Sequence, residues 1–134
     1  MTKRAIIVTG SRHLDDERDI ERVTECLVEA FGAGGDLFVG DAAGVDALAR
    51  HLAEQHGITL HVFKADWDTH GRSAGPRRNA EMVHAFQNFL AANMDYEYRA
   101  FAFPAPKSKG TWGCLRMIVD TGIFLSVWGV GRGS

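Results

Sequence analysis

The sequence contains little cysteine and little proline, and neither sign of charge is in large excess. Among its 134 residues are two cysteines and three prolines, and the formal net charge at pH 7 is −2. Two cysteines within predicted helices do not make a disulfide framework, so we expect a reduced, cytoplasmic setting. Without an excess of lysine and arginine, non-specific binding to nucleic acid or to an anionic membrane is not expected. No apolar run is long enough for a signal peptide or a membrane span.

The sequence does contain a regular alternation of two periodicities. Short β-branched or aromatic runs, typical of buried strands, cover residues 5–8, 36–40, 58–63, 99–104 and 123–129. Between them, segments of helical period cover residues 14–31, 45–57, 76–93 and 111–122. Strands separated by helices predict a parallel sheet with helices on both faces. We therefore predict a single doubly wound α/β domain over residues 1–128, and a flexible tail over residues 129–134.

The conspicuous motifs all follow predicted strands. They read TGSRHLD after the first strand, GDAAGVD after the second, ADWDTHGRSAGPRRN after the third and PAPKSKGT after the fourth. The turns at the other ends of the strands are plain, as in GAGG at residues 32–35. In a doubly wound sheet, ligands bind beyond the carboxyl ends of the strands. The asymmetry therefore predicts a binding site at that edge.

The first two motifs have the residue types of an anion site. Gly10 allows a close approach of the backbone, Ser11 adds a hydroxyl, and Arg12 offers a planar fork for phosphate or carboxylate. The alternative is a tight turn with a solvated arginine. Gly40 at the strand end and Gly44 at the helix start predict free backbone N–H groups for an anion.

Asp46 follows in the first turn of the second predicted helix. It is a candidate for holding a ribose hydroxyl, and the alternative is a carboxylate that only complements the helix dipole. The chain contains neither a P-loop nor a dinucleotide fingerprint. ATP hydrolysis and nicotinamide redox chemistry are therefore not expected.

Two arginines lie where a helix disfavours positive charge. Pro76 marks a first helical position, so Arg77 and Arg78 fall in the first turn, at a cost of about 0.3–1 kcal/mol each. A bound phosphate would make these charges favourable. Removing Arg78 should then leave the fold intact. The alternative is that one arginine pairs with a nearby acid, namely Asp66, Asp68 or Glu81.

The helix after the fourth strand repeats this arrangement. Lys107 and Lys109 come directly before Gly110 and Thr111 at its predicted start. An anion between the two helix starts would contact both groups of cations.

The loop before the arginines holds further candidates. Trp67 is placed to stack on a base or cover the site, or alternatively to anchor the loop. His70 is a candidate acid or base, although a lone loop histidine is more often solvent-facing. The histidines and cysteines show no metal-ligand spacing, so no metal is expected. Magnesium is supported only by acidic residues near the predicted phosphate site.

Taken in order, these motifs resemble the SLOG superfamily. The resemblance rests on GSR, G-x-A-x-G-x-D-x-L-A, ADW with AGPRRN-x-x-M, and a late GT, and it spans roughly Ile6–Val127. The superfamily unites the lonely-guy phosphoribohydrolases, the DNA-processing protein A group and small YpsA-related proteins, and the YspA-like branch is the most similar. The resemblance implies a Rossmann-like domain that binds a nucleotide or nucleotide-derived ligand, a homodimer, and a bacterial or phage source.

The resemblance to the lonely-guy enzymes also locates a departure. RNAEM, starting at Arg78, matches their R-K-A-E-M stretch with Asn79 in place of lysine. In their P-G-G-x-G-T-x-x-E loop the glutamate serves cleavage, and Cys114 stands at its position here. Asp46 and Asp66 are then the candidate catalytic carboxylates, with Asp41 as a further possibility.

The function expected first is nucleotide binding without catalysis. The alternatives are cleavage of the N-glycosidic bond of a nucleoside 5′-monophosphate, and single-stranded DNA binding of the DNA-processing protein A type. The residues predicted to bind the ligand are Gly10, Ser11, Arg12, Gly40, Gly44, Asp46, Trp67, Gly75, Arg77, Arg78, Asn79, Lys109, Gly110 and Thr111.

Overall fold

The computed structural model describes residues 2–131. Its strands are β1 (Arg4–Gly10), β2 (Gly35–Gly40), β3 (Thr59–Phe63), β4 (Glu97–Phe103) and β5 (Ser126–Val127). Its helices are α1 (Glu17–Phe31), α2 (Val45–Gln55), α3 (Trp67–His70), α4 (Ala74–Ala92) and α5 (Lys109–Asp120), and a 3₁₀ turn (Gly71–Ser73) joins α3 to α4. Within the described residues, no helix has the length and apolar character needed to cross a membrane.

The strands form one parallel sheet in the order β3-β2-β1-β4-β5. β1 is central and pairs on both sides, with Arg4 opposite Gly35 of β2 and opposite Glu97 of β4. The strand order reverses direction between β1 and β4, which opens a crevice at their carboxyl ends. The predicted Rossmann-like α/β fold is confirmed.

Each face of the sheet carries its own apolar core. α1 and α2 pack on one face against Ile6 and Val8 of β1, and α4 and α5 pack on the other face against Ala5 and Ile7. The alternation along β1 follows from the period of two in a strand. The predicted stripe of α1 is buried through Val23, Leu27 and Phe31, whereas Ile20 is half-buried. In α4 the predicted stripe buries Met82 and Phe86, with Phe89 and Leu90 packed at its edge.

The last strand differs from the prediction. Residues 123–129 were expected to be extended throughout, but β5 contains only Ser126 and Val127. Ile123 and Leu125 pack against the core on the α4 side, while Phe124 is 85% exposed. The apolar run therefore reflects packing of alternate side chains rather than a long pairing with β4.

The start of α4 also differs. The helix begins at Ala74, two residues before Pro76, and the preceding loop contains the short helix α3 and a 3₁₀ turn. Arg77 consequently lies at the end of the first turn and Arg78 just beyond it, where the helix dipole acts more weakly. The charge conflict inferred from the sequence is therefore smaller than expected.

The chain remains packed beyond β5. Val130 is 2% exposed, its N–H donates to the Pro104 carbonyl at 2.9 Å, and the Gly131 N–H donates to Asp19 Oδ2 at 2.9 Å. The rest of the predicted tail, residues 132–134, lies outside the described residues.

Candidate functional site

A cavity of about 880 Å³ opens at the carboxyl ends of β1 and β4. Its walls come from the loop after β1, the region around α3 and the start of α4, and the loop that leads into α5. The side facing β2 and α2 contributes Ala42 and Asp46. This is the crevice in which a doubly wound sheet binds its ligands.

Most of the predicted binding residues meet in this cavity. Those that line it are Gly10, Ser11, Arg12, Asp46, Trp67, Gly75, Arg78, Asn79, Lys109, Gly110 and Thr111. Gly40, Gly44, Arg77 and the candidate acid Asp66 are not among the residues that line it.

Gly44 packs against backbone rather than facing the cavity. Its φ is +71°, and a Cβ there would lie 2.2 Å from the carbonyl oxygen of Ser11. The N–H of Val45 donates to this same oxygen at 3.0 Å. The start of α2 thus holds the loop after β1, and the anion site predicted at Gly44 has no counterpart in the cavity.

Gly40 lies at the end of β2, directly beneath the side chains of Arg78 and Asp46. A Cβ at this position would be 2.6 Å from both Arg78 Nη1 and Asp46 Oδ2. The absence of a side chain therefore lets Arg78 and Asp46 settle over the end of β2.

Arg78 is buried and bonded within the protein, with 8% of its side chain exposed. Its Nη1 donates to Asp41 Oδ1 at 2.7 Å, and its Nε donates to Asn79 Oδ1 at 2.8 Å. The acidic partners considered from the sequence were Asp66, Asp68 and Glu81, and the partner in the structure is Asp41. Nη2 has no acceptor among residues 2–131 and is the part of this guanidinium left for a ligand.

Arg77 and Asp66 have local roles. Arg77 is exposed, and its Nε donates to Ser73 Oγ at 3.1 Å. Asp66 caps α3 by accepting from the Thr69 N–H at 3.1 Å. Hydrogen bonds from Thr69 lower the pKa of Asp66, which suits a cap and not a proton donor.

Asp46 is the buried acid of the cavity, with 5% of the residue exposed. Its Oδ2 accepts from the Ala42 N–H at 3.3 Å. Burial raises the pKa of Asp46 to about 6, although the positive charge of Arg78 opposes the rise. The carboxyl group therefore changes protonation state just below neutral pH.

This burial predicts that Asp46→Asn stabilises the protein at neutral pH. Folding raises the pKa of Asp46 from 3.8 to about 6. The contribution of the protonated Asp46 to stability is therefore fully present below the pKa of the unfolded state, and it is lost as the pH rises through the pKa of the folded state. Above that window the charged form is disfavoured by about 2–3 kcal/mol. Urea unfolding should show Asp46→Asn gaining up to that amount near pH 8, and the gain should disappear towards about pH 4.

Asp68→Asn is the matched control, because Asp68 is an exposed acid on α3. Its free energy of unfolding should change little at either pH. A loss of stability in Asp46→Asn near pH 8 would show that the charged carboxylate is well accommodated.

Cys114 lies below the cavity rather than in its wall. The residue is fully buried in α5, and burial raises the pKa of its thiol to about 11. The thiol therefore stays protonated at neutral pH. It cannot take the place of the glutamate that the lonely-guy enzymes carry at this point of the loop.

Trp67 and Arg12 form the rim. The Arg12 guanidinium carbon lies 5.3 Å from the centroid of the Trp67 ring, and a Cβ on Gly75 would be 3.3 Å from the same indole. The indole thus packs over Gly75 while remaining exposed. His70 is exposed in the same segment and is not among the residues that line the cavity.

The start of α5 presents unused donors. Within residues 2–131, the backbone N–H groups of Gly110 and Thr111 have no acceptor, and no side chain caps the helix. Lys107 and Lys109 flank them in the cavity wall. Asn79 Nδ2 donates to the Gly110 carbonyl at 3.5 Å, which links this helix start to α4.

Several lining residues were not predicted as ligand contacts. They are Thr9, His13, Asp15, Asp16, Ala42, Arg72, Pro76, Ala105, Ser108 and Gly131. Lys107, which was predicted as a cation beside the anion, also lines the cavity. A signal was available for Arg72, which is a cation in the same motif as Arg77 and Arg78. Asp15 and Asp16 precede α1, and Asp16 caps that helix by accepting from the Arg18 N–H at 2.8 Å. In the described part of the chain, no group of three or more His, Cys, Asp or Glu side chains is arranged to hold a metal ion.

Comparison with known proteins gives two matches. Residues 4–70 match the family model YAcAr, described as the YspA, cpYpsA-related SLOG family. The gene 61 protein of Mycobacterium phage D29 is 30% identical over 125 residues, which cover 90% of this chain and 92% of that protein. No solved structure matches the chain significantly. The family match ends within α3, so the cavity walls from α4 and α5 lie beyond it.

Proposed function

The chain belongs to the YspA, cpYpsA-related SLOG family, and on that basis we propose that it binds a nucleotide or nucleotide-derived ligand in the cavity between β1 and β4. The observation that carries the proposal is the start of α5, where two unpaired N–H groups and two lysines face one cavity. A helix start with free N–H groups and cations beside it is a binding site for a phosphate.

The phosphate end of the ligand is assigned to Gly110 and Thr111. Their N–H groups would donate to phosphate oxygens, and Lys107 and Lys109 would supply the opposite charge. Arg78 Nη2, which has no acceptor among residues 2–131, is a further donor in the same cavity. Because Arg78 is fixed by Asp41 and Asn79, binding would require little reordering of its side chain.

The sugar and base are assigned to other residues of the cavity wall. Asp46 is the buried acceptor available to a ribose hydroxyl, and the exposed indole of Trp67 is available for stacking. Ligand stacking would compete with the present contact between Trp67 and Arg12.

Cleavage of an N-glycosidic bond is the second candidate. It is favoured by Asp46, because an acid with a pKa of about 6 can donate a proton near neutral pH. It is opposed by Cys114, since a buried, neutral thiol stands at the position of the glutamate of the lonely-guy enzymes. We therefore propose ligand binding, and not cleavage, as the first candidate function.

The homodimer that the family resemblance implies stays a prediction, which sedimentation velocity can check.

A proton NMR time course with nucleoside mono-, di- and cyclic phosphates tests both candidates. Broadening of ligand signals without new peaks is the expected result. Free base and ribose 5-phosphate that accumulate with time would establish the hydrolase instead. Unchanged ligand spectra across the panel would contradict nucleotide binding.

Replacing both lysines tests the phosphate assignment. Lys107→Ala with Lys109→Ala should weaken binding of the retained nucleotide about tenfold, because two charge-assisted contacts are lost. Titration calorimetry measures the change, and the weakening should shrink at high salt. Lys3→Ala is the control, since Lys3 is exposed just before β1, at the opposite edge of the sheet. Equal weakening in Lys3→Ala would mean that only net charge matters.

A further inference from the structure

The segment after β5 continues along the edge of β4. Trp128 N–H donates to the Ala102 carbonyl at 2.9 Å, and Val130 N–H donates to the Pro104 carbonyl at 2.9 Å. We call residues 128–131 the C-terminal brace. On the other side of β4, the Ser11 N–H donates to the Phe103 carbonyl at 3.0 Å. The end of β4 is therefore held from both sides immediately before the loop that leads to α5.

The brace is also attached to α1. Gly131 N–H donates to Asp19 Oδ2 at 2.9 Å, and the Arg22 guanidinium carbon lies 4.6 Å from the centroid of the Trp128 ring. Between these attachments, Val130 is buried in the core on the α1 side. The brace thus joins the end of β4 to the first half of α1.

Both of the structures that the brace joins continue into the cavity wall. Pro104 leads directly into the loop before α5 and the first three residues of that helix, a stretch that we call the loop 105–111. It carries Lys107, Lys109 and the N–H groups that have no acceptor among residues 2–131. On the other side, α1 follows directly on Asp15 and Asp16. Gly131 itself lines the cavity. Because one segment ties two walls together, its attachment sets their separation.

We propose that the C-terminal brace is a positioning element of the binding site, which holds the loop 105–111 against the start of α1 so that its N–H groups meet the ligand. The effect on affinity rests on the proposed function. The effect on the loop does not, and it can be measured in the empty protein.

Asp19→Ala and Trp128→Ala each remove one attachment and leave the lining side chains in place. Hydrogen exchange of the ligand-free protein should increase about fivefold or more at the hydrogen-bonded amides of Ala105, Ser108 and Lys109 in each variant, because local opening becomes easier. Exchange in β2 and α2 should remain unchanged. Asp19→Asn keeps an oxygen acceptor and should restore much of the protection. Glu21→Ala, an exposed acid on the same helix, is the control.

Affinity is then measured by calorimetry with inorganic phosphate and with the nucleotide that wild-type protein retains. A weakening of about three- to tenfold in Asp19→Ala and Trp128→Ala is expected, and none in Glu21→Ala. Unchanged exchange at the amides of Ala105, Ser108 and Lys109 would overturn the proposal. An equal increase throughout the sheet would also overturn it, because the brace would then be a general stabiliser. Increased loop exchange in a protein that binds neither phosphate nor nucleotide would contradict the proposed function and leave the brace as a support of the loop.

Discussion

Gly44→Ala is expected to destabilise the folded protein by about 3 kcal/mol or more. Gly44 has φ +71° and ψ −124°, a conformation that residues with a side chain rarely adopt. A Cβ would also collide with the backbone of Ser11 and Arg12, which cannot move aside as a flexible side chain can. Urea or guanidinium unfolding at neutral pH measures the loss.

Gly113→Ala is the matched control, because Gly113 lies inside α5 and a Cβ there would have no neighbour within 4 Å. Alanine is the better helix former, so this variant should gain up to about 1 kcal/mol. If Gly44→Ala instead keeps its stability and loses only ligand binding, the anion site predicted at this glycine would be correct and the packing role would be wrong.

Arg78→Ala is expected to cost about 3 kcal/mol, because the buried guanidinium loses its charge-assisted hydrogen bond to the exposed Asp41 and its hydrogen bond to Asn79. The expectation from the sequence was an intact fold, because it rested on the helix dipole and the acidic partner in the structure, Asp41, was not among those considered. Arg78 bonds to Asp41 and Asn79, and its positive charge also opposes the rise in the pKa of Asp46. The attraction to Asp46 operates only when that carboxyl group is charged, so the loss should be smaller near pH 4 than near pH 8.

Arg77→Ala provides the comparison one residue away. Arg77 is exposed and contacts Ser73, so its removal should change stability by less than about 0.5 kcal/mol. Nucleotide binding should be lost in Arg78→Ala and kept in Arg77→Ala. Equal stability of the two variants at neutral pH would contradict the structural role of Arg78.

The fold was largely predictable because its signals are local. A period of two marks the strands, a longer period marks the helices, and the apolar stripe ending at Phe31 identified the buried face of α1. The order of the strands in the sheet was not predictable, because tertiary contacts between distant segments decide it, and the composition of each strand does not reveal them. β5 was overestimated because alternate apolar residues, such as Ile123 and Leu125, can pack without pairing.

The sequence predicted where the site lies better than it predicted what each residue does there. The general rule for doubly wound sheets placed the motifs at one edge. The contact of Arg78 with Asp41 joins residues far apart in sequence, so no periodic pattern in the sequence predicts it. The glycines show the same limit: the sequence marks Gly44 as unusual, but whether ligand or backbone approaches it depends on the tertiary structure. Val130 and Gly131 were assigned to a tail because a short glycine-rich stretch does not reveal its hydrogen bonds to β4 and α1.

The central position of β1 has a consequence for how the protein forms. Arg4 lies opposite Gly35 of β2 and Glu97 of β4, so β1 gains its second neighbour only after the long intervening segment has been synthesised. Until then β1 has one unpaired edge, and this raises the risk of aggregation during synthesis. Pairings between such distant segments form slowly because closing the long intervening loop costs entropy. Since the cavity lies where β1 and β4 end side by side, it is expected to be one of the last parts of the protein to assemble.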